Sequence, residues 1–324
     1  MARTIRIHEK GGPEVLRLEE LAVGDPGPGE ARVRQTAIGV NFLDTYHRSG
    51  LYPVPLPTGI GSEAAGVVEA VGSGVSVVRP GDRVAYAGGA PGAYTDTRLL
   101  PAERLVRIPD GISDQQAAAM MLKGMTVRYL IRRTYVVKAN DVVLWHAAAG
   151  GVGLIACQWL KALGVTVIGT AGSDEKAALA RSHGADHVIV YTREQFPQRV
   201  RELTNGRGVP VVYDSVGKST FMGSLDCLQP RGLLAAFGNA SGAVPPFDLL
   251  LLSQKGSLYV TRPTLATHIA TRADLEETAA DLFDVVRAGK VKIEVGRTYP
   301  LEKAADAHRD LEARKTTGSV VLVP

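Results

Sequence analysis

The run of small residues from Ala147 to Gly153, Ala-Ala-Ala-Gly-Gly-Val-Gly, carries the strongest chemical signal in the sequence. It follows an apolar segment typical of a β-strand and precedes a segment with helical spacing. Small residues let the backbone turn tightly and approach a pyrophosphate, while the next helix presents free N–H groups to the phosphates. The run predicts a dinucleotide site, and its alternative is a glycine-rich turn without a ligand. The predicted phosphate-binding residues are Ala148, Gly150, Gly151 and Val152.

The end of the second predicted strand, Val165–Thr170, indicates which dinucleotide is bound. NAD sites usually have Asp or Glu about 20 residues after the glycine turn, where it bonds the ribose 2′-OH. Here Gly172 and Ser173 stand at that place, and the following Asp174 occupies a helix N-cap position. Lys176 lies one turn into the helix, and it either meets a 2′-phosphate or is an ordinary solvated lysine. The missing acid favours NADPH over NADH.

A tyrosine after the third predicted strand, Tyr191, is a further candidate contact for the 2′-phosphate. His146 ends the strand before the glycine run, and we interpret it as a core or turn residue rather than a catalytic base.

The two cysteines, Cys157 and Cys227, show no CxxC or Cys/His spacing. This usage argues against disulfides and structural zinc and predicts a cytoplasmic protein. No GxSxG sequence is present, so serine-hydrolase chemistry is not predicted.

The elements that must position these residues lie in two regions of the chain with different patterns of predicted secondary structure. Up to about residue 120 the chain alternates short β-type segments with Pro/Gly turns, which predicts a compact, largely antiparallel, barrel-like domain. The predicted strands are Thr4–Ile7, Ala31–Ile38, Ala64–Val71 and Arg83–Ala87, and a helix is predicted over Ser113–Thr126.

From about Tyr135 onward, continuous apolar runs alternate with amphipathic helical patterns. Such alternation predicts a parallel sheet covered by helices on both faces, the doubly wound α/β arrangement. The tail ends in a predicted buried strand, Ser319–Val323, and is expected to return to the first domain. We therefore predict a nucleotide-binding domain over residues 125–262, inserted in a domain made of residues 1–124 and 263–324.

Composition supports a folded, two-domain enzyme-sized chain. The 324 residues are 45% hydrophobic and 22% charged with a net charge of +4, which excludes intrinsic disorder. Val142–Leu160 has no charged residue and is near the minimum length for a membrane span, but its glycine centre favours strand, turn and helix. The first residues show no apolar core of signal-peptide length. Neither membrane insertion nor nucleic-acid binding is expected, although Arg128, Arg132, Arg133 and Lys138 form a candidate basic face.

Several short motifs, in their order along the whole chain, resemble the zinc-free quinone oxidoreductases of the medium-chain dehydrogenase/reductase family, which includes ζ-crystallin. The matching segments are Gly39–Tyr46, Arg48–Pro53, Gly61–Val68, Gly81–Val84, the glycine run, Val212–Gly217, Phe237–Asn239 and Thr261–Pro263. The resemblance implies a Rossmann nucleotide-binding domain inserted in a mostly β, GroES-like catalytic domain. It also implies NADPH in the cleft between the domains and a homodimer formed through edge strands near Ser257–Thr261.

The resemblance further assigns roles to individual residues. Asn41, Tyr46 and Tyr52 are expected to line the catalytic cleft, with Asn41 also near the cofactor; packing or turn roles are the alternatives. Arg262 is expected to bond either the cofactor or the backbone. The remaining cofactor contacts implied by the resemblance are Lys123, Thr126, Ser215, Phe237, Gly238 and Asn239.

Zinc-dependent relatives carry Cys in the segment aligned with Gly39–Asp44 and His just before the glutamate of the GxE motif. This chain has no Cys there and has Ser62 before Glu63, so no zinc is expected. Without a Lewis acid, the expected reaction is reduction of a quinone, which is a strong electron acceptor. The alternatives are NADPH-dependent reduction of activated C=C bonds in enals, enones or enoyl thioesters, and a non-catalytic NADPH- or RNA-binding protein.

Overall fold

The computed structural model describes residues 1–324. The strands are β1 (Ala2–Ile7), β2 (Arg17–Leu21), β3 (Glu30–Val40), β4 (Thr58–Gly59), β5 (Glu63–Val71), β6 (Arg83–Ala87), β7 (Thr97–Pro101), β8 (Val106–Arg107), β9 (Val142–Trp145), β10 (Thr166–Ala171), β11 (His187–Val190), β12 (Val209–Asp214), β13 (Leu228–Ala236), β14 (Tyr259–Thr261), β15 (Val295–Pro300) and β16 (Ser319–Val323). The α-helices are α1 (Phe42–Ser49), α2 (Asp114–Tyr129), α3 (Gly151–Ala162), α4 (Asp174–Ser182), α5 (Phe196–Leu203), α6 (Phe221–Cys227), α7 (Leu250–Gln254), α8 (Leu265–His268), α9 (Arg272–Arg287) and α10 (Ala304–Glu312).

The chain divides into two compact units. Unit 1 comprises Met1–Met125, His268–Arg287 and Ile293–Pro324, and unit 2 comprises Thr126–Thr267 with Ala288–Lys292. The domain bounds drawn from the sequence, residues 1–124 with 263–324 and residues 125–262, stay a prediction.

Unit 1 is built on β-sheets. Six strands follow the order β15-β16-β3-β5-β6-β8 with β7 also paired to β3, and a smaller sheet has the order β2-β1-β4. All of these pairs are antiparallel except β15 with β16, and the tail strand β16 lies beside β3, as the sequence predicts. At the start of β3, buried Ala31, Val33 and Gln35 alternate with more exposed residues, the period of a strand with one buried face. A β-carbon on Gly66 would collide with the backbone of Arg34, so β5 approaches β3 because it has glycine there.

Helix α2 is largely buried, and its residues up to Met125 belong to unit 1. Ser113 caps it reciprocally: the Gln116 N–H donates to Ser113 Oγ at 3.2 Å, and the Ser113 N–H donates to Gln116 Oε1 at 2.9 Å. The alanines at 117–119 are completely buried, which lets the helix backbone pack closely against its neighbours. The helix therefore carries Lys123 into the interior of unit 1, where only 6% of that residue is exposed.

Unit 2 contains one six-stranded sheet in the order β11-β10-β9-β12-β13-β14, and every pair in it is parallel. This confirms the doubly wound α/β prediction. The strand order reverses between β9 and β12, and ligands in such sheets bind outside the carboxyl ends of the strands at that reversal. The register pairs Trp145 with Tyr213 and Asp214 with Ala236, so the loops after β9, β12 and β13 leave the sheet at one edge.

The charge-free segment Val142–Leu160 consists of β9, the glycine turn and most of α3. None of the helices combines the length and the apolar character that crossing a bilayer requires. Cys157 and Cys227 are both buried and form no disulfide.

Candidate active site

The glycine turn joins β9 to α3 at the strand-order reversal. Gly150 is the N-cap of α3 and has an extended backbone, and no side chain caps the helix there. A β-carbon on Gly153 would collide with the carbonyl oxygen of Ala147 and lie 2.6 Å from that of Ala148. A β-carbon on Gly150, in contrast, would meet only Ala147 O at 3.3 Å. The turn thus has the tight packing and the uncapped helix start that a pyrophosphate needs.

The four residues predicted at the end of β10 lie together. Ser173 is the N-cap of α4, and its Oγ accepts from the Lys176 N–H at 3.3 Å. The Tyr191 N–H donates to Ala171 O at 3.1 Å. The Tyr191 hydroxyl lies so near Gly172 that a β-carbon on Gly172 would be only 2.7 Å from it. Two hydroxyls and the α4 start therefore lie together at one strand end, the donor set that a 2′-phosphate requires.

The sequence reasoning missed the partner of Asp174. Both oxygens of its carboxylate accept from Arg193, at 2.6 Å each, and both side chains are exposed. The guanidinium holds the pKa of Asp174 below its usual value. Parallel pairing of Ala171 with Val190 places the loops after β10 and β11 at the same sheet edge, and that register is the signal that points to Arg193. Because the Asp174 carboxylate is already bound by Arg193, this strand end is better suited to bind a phosphate, through the arginine, than a ribose hydroxyl.

The predicted residues after β12 and β13 also lie together. The Phe237 N–H donates to Asp214 O at 2.8 Å, and a β-carbon on Gly238 would collide with the carbonyl oxygen of Ser215. Arg262 Nη1 donates to Ala236 O and Gly238 O, both at 2.9 Å. Of the two alternatives for Arg262, the structure shows the contact with the backbone, which fixes the loop after β13. Asn239 lies beside it, with its amide oxygen 3.3 Å from Arg262 Nη2 in the orientation that satisfies both amide atoms.

In unit 1, Asn41 and Lys123 meet at a buried carboxylate. Glu63 Oε1 accepts from Asn41 Nδ2 at 2.8 Å and from Lys123 Nζ at 2.9 Å, and Glu63 Oε2 accepts from the Leu122 N–H at 2.6 Å. Glu63 is completely buried. A β-carbon on Gly39 would collide with the Glu63 carboxylate and with α2, so glycine is required there. Glu63 is therefore a hydrogen-bonding residue that orients the Asn41 amide.

Tyr46 and Tyr52 lie next to each other at the end of α1. Their ring centroids are 5.2 Å apart in an edge-to-face arrangement, and the Tyr52 N–H donates to Tyr46 O at 3.1 Å. Both residues are half-buried. Thr126 is the first residue of unit 2, where its side chain hydrogen-bonds Tyr129.

The positions that hold zinc ligands in zinc-dependent relatives are occupied here by residues with other hydrogen-bond partners. Ser62 donates to Asp44 Oδ1 at 2.8 Å, and Glu63 is engaged by an ammonium and an amide. No thiolate or imidazole is present in this donor set, which does not fit tetrahedral zinc. No group of three or more His, Cys, Asp or Glu side chains is arranged to hold a metal ion.

A buried polar chain, which the sequence reasoning missed, connects α1 with α10. Arg48 Nη1 donates to His308 Nδ1, His308 Nε2 lies 2.9 Å from the Tyr94 hydroxyl, and Tyr94 donates to Asp44 Oδ2 at 3.0 Å. Asp44 also accepts from the Asn41 N–H at 2.9 Å. Burial raises the pKa of Asp44 to about 6, and burial together with Arg48 lowers the pKa of His308 to about 3.

Comparison with known proteins identifies the family. A model described as "Alcohol dehydrogenase GroES-like domain" matches residues 27–110, and one described as "Zinc-binding dehydrogenase" matches residues 151–284. The chain is 57% identical over 325 residues to a quinone oxidoreductase of Pseudomonas aeruginosa, covering 100% of both chains. It belongs to the quinone oxidoreductase family of medium-chain dehydrogenases/reductases.

Two other members of this family are informative. The crystal structure of Escherichia coli quinone oxidoreductase complexed with NADPH superposes with a TM-score of 0.98 at 52% identity, covering 100% of both chains. A 2-haloacrylate reductase from Burkholderia sp. is 49% identical over 326 residues, covering 98% of both chains. The family therefore includes a protein crystallised with NADPH and a protein named for reduction of a substituted acrylate.

One prediction about charge is wrong. Arg128 is buried, with 4% of the residue exposed, because it lies on the inward side of α2. Arg132, Arg133 and Lys138 are exposed, but without Arg128 the candidate basic face is reduced to three residues.

Proposed function

We propose that this chain is an NADPH-dependent quinone oxidoreductase that works without a metal. The observation that carries the proposal is the end of β10, where Ser173, Lys176 and Tyr191 lie close together and the carboxylate of Asp174 is bound by Arg193. That arrangement suits a 2′-phosphate. Full-length identity of 52–57% with named quinone oxidoreductases, one of them crystallised with NADPH, supports the same reading.

Each predicted contact has a chemical task in this proposal. NADPH, when bound, supplies the hydride. The N–H groups of Gly151 and Val152 at the start of α3 would hold the pyrophosphate, with Ala148 and Gly150 leaving room for it. The residues proposed for the nicotinamide half are Thr126, Ser215, Phe237, Gly238 and Asn239, and Arg262 holds their loop through the backbone.

The quinone side is proposed to be Asn41, Tyr46 and Tyr52. Glu63 fixes the Asn41 amide because it accepts one of its N–H groups, and Lys123 donates to the same carboxylate oxygen. The two tyrosine hydroxyls can donate to the oxygen that gains negative charge as a quinone is reduced. Preorganised donors of this kind stabilise such charge without further rearrangement.

Steady-state NADPH and NADH oxidation tests the proposal with a panel of small quinones and enones. We expect turnover with NADPH and a quinone, and a slower rate with NADH. Tyr46→Phe and Tyr52→Phe should each reduce kcat/KM by about tenfold or more, the size of one lost hydrogen bond to developing charge. Tyr299→Phe is the matched control and should leave the rate unchanged, because the Tyr299 hydroxyl donates to Asp310 and has no part in the proposed site. If neither Tyr46→Phe nor Tyr52→Phe loses rate, the assignment of the two tyrosines is contradicted.

The second candidate function is NADPH-dependent reduction of activated C=C bonds. The relative that favours it is the 2-haloacrylate reductase, at 49% identity. Tyr46 or Tyr52 would then donate a proton to the substrate carbon. A kcat/KM for an enone or 2-haloacrylate well above that for every quinone in the panel would establish this second function instead of the first.

The proposed assembly is a homodimer formed at the free edge of β14. Tyr259 on this strand is 60% exposed, and Leu249, at the start of α7, is 72% exposed. Sedimentation velocity should show a dimer that Tyr259→Lys converts to a monomer; a monomeric wild type would contradict the proposal.

A cytoplasmic location is proposed because Cys157 and Cys227 are both unpaired, and cell fractionation tests it.

A further inference from the structure

A buried chain of polar side chains lies directly beneath the glycine turn. His146 Nδ1 is 3.0 Å from Thr170 Oγ1, and His146 Nε2 is 3.0 Å from Ser224 Oγ. Ser224 Oγ donates to Asp214 Oδ2 at 2.9 Å. At the other end, Thr170 Oγ1 accepts from the Ala147 N–H at 3.3 Å. The chain therefore runs from Asp214, at the end of β12, to the first residue of the glycine turn.

The carboxylate at one end fixes the direction of every hydrogen bond. Because Ser224 gives its only proton to Asp214, its oxygen must accept from His146 Nε2–H. The neutral ring then has an unprotonated Nδ1, which accepts the hydroxyl proton of Thr170. Thr170 is left as the acceptor for the Ala147 N–H. Burial lowers the pKa of His146, which keeps the ring neutral as this direction requires.

Asp214 also holds the turn on the other side of the strand-order reversal. Its Oδ1 accepts from the N–H groups of Val216 at 2.8 Å and Gly217 at 3.0 Å. The Thr220 hydroxyl donates to the same carboxylate. One carboxylate is thus connected to both loops, the loop after β12 directly and the glycine turn through three side chains.

The glycine turn needs such support at Ala147. This residue has a φ of +53°, in the left-handed region that non-glycine residues rarely adopt. The side chains that connect it to Asp214 are almost completely buried, at 1% exposure for both His146 and Thr170 and 0% for Ser224. A buried polar network with every member satisfied makes its surroundings rigid, whereas loss of one member leaves other groups unsatisfied.

We propose that Thr170 and His146 are positioning residues for the dinucleotide phosphates. They hold the Ala147 N–H and thereby the path of the turn before α3, and they couple that path to the loop after β12. This inference rests on the proposed function only in assuming that the turn binds NADPH. Neither residue needs to touch the cofactor for the effect.

Three variants of the full-length chain test the role of Thr170. Thr170→Val removes one buried hydroxyl without changing the side-chain shape, and Thr170→Ser keeps the hydroxyl. The matched control is Thr204→Val, since Thr204 is also buried, at 4% exposure, and its Oγ1 accepts from the Gly208 N–H at 2.9 Å. Thr204 lies before the start of β12, at the opposite edge of the same sheet.

Isothermal titration with NADPH and thermal unfolding are measured for each variant. We expect Thr170→Val to raise the Kd and KM for NADPH by about tenfold with a smaller change in kcat, consistent with the loss of one buried hydrogen bond. Thr170→Ser should recover most of the affinity. Thr204→Val should lower the melting temperature to a similar extent and keep the Kd within about twofold of wild type. Equal Kd changes in Thr170→Val and Thr204→Val would overturn the proposal.

A second measurement requires no substitution. The ¹⁵N shifts of His146 in the wild-type chain should show a neutral ring protonated at Nε2; an Nδ1–H tautomer or a charged ring would overturn the direction of the chain. A wild type that binds NADPH but reduces no quinone would refute the proposed function and leave the Kd comparison decisive. A wild type that does not bind NADPH would refute both.

Discussion

The buried pair of Glu63 and Lys123 gives a prediction whose size can be worked out. Glu63 is completely buried and Lys123 is 6% exposed, and their charged atoms are 2.9 Å apart. Glu63→Gln keeps the shape but leaves the Lys123 ammonium buried without a counter-charge. Breaking a buried ion pair from one side costs about 3–5 kcal/mol.

The expected loss in the free energy of unfolding of Glu63→Gln is therefore about 3–5 kcal/mol. The double variant Glu63→Gln/Lys123→Met should recover a large part of that loss, because no buried charge remains.

Urea unfolding at pH 7 followed by far-UV circular dichroism is the appropriate assay. Both tryptophans, Trp145 and Trp159, lie in unit 2, so their fluorescence would not report on unit 1. Glu202→Gln, in an exposed pair with Arg199, is the control and should cost less than about 1 kcal/mol. A loss below about 1 kcal/mol for Glu63→Gln, or no recovery in the double variant, would refute the reasoning.

Three further predictions concern the phosphate turn, a buried carboxyl and cofactor choice. Gly153→Ala forces a β-carbon against the carbonyl oxygen of Ala147 and should destabilise unit 2 by about 1–3 kcal/mol. It should also weaken NADPH binding, measured by calorimetry, and an unchanged affinity would contradict the packing argument. Asp44 has its pKa raised in the folded state, so it favours folding at low pH, and that contribution is lost as the pH rises from about 4 to about 6. Relative to Asp44→Asn, the wild type should therefore lose about 3 kcal/mol of unfolding free energy across that range in urea titrations, and parallel pH curves would refute this. Lys176→Ala should raise the Kd for NADPH far more than that for NADH, whereas equal effects would show that Lys176 is not the phosphate partner.

The sequence predicts best where the chemistry is local. The turn at the glycine run, the helix predicted from Ser113 and the apolar strands of unit 2 each depend on neighbouring residues, and the structure confirms these elements. Helix α1 was not predicted, although Asp44 accepts the Asn41 N–H three residues earlier, which is half of a capping box. The spacing of Asn41 and Asp44 in the sequence carries that signal.

The buried polar chains could not be predicted in the same way. Arg48 and His308 are 260 residues apart and meet only because α10 packs on α1. Nothing around His308 in the sequence distinguishes it from the exposed histidines. The same holds for Arg193, whose contact with Asp174 depends on the register of two parallel strands rather than on any motif.

The polar chain from Arg48 to Asp44 has a consequence for acid tolerance. His308 must stay neutral to accept from Arg48, so acidification from pH 6.5 to 4 works against folding by about 3 kcal/mol. Asp44 gains a comparable amount over nearly the same interval, because its folded state prefers the proton. The two titrations oppose each other, so the contributions of Asp44 and His308 largely cancel in mild acid. A relative that replaced only one of the two residues would lose this balance, becoming acid-labile without Asp44 and base-sensitive without His308.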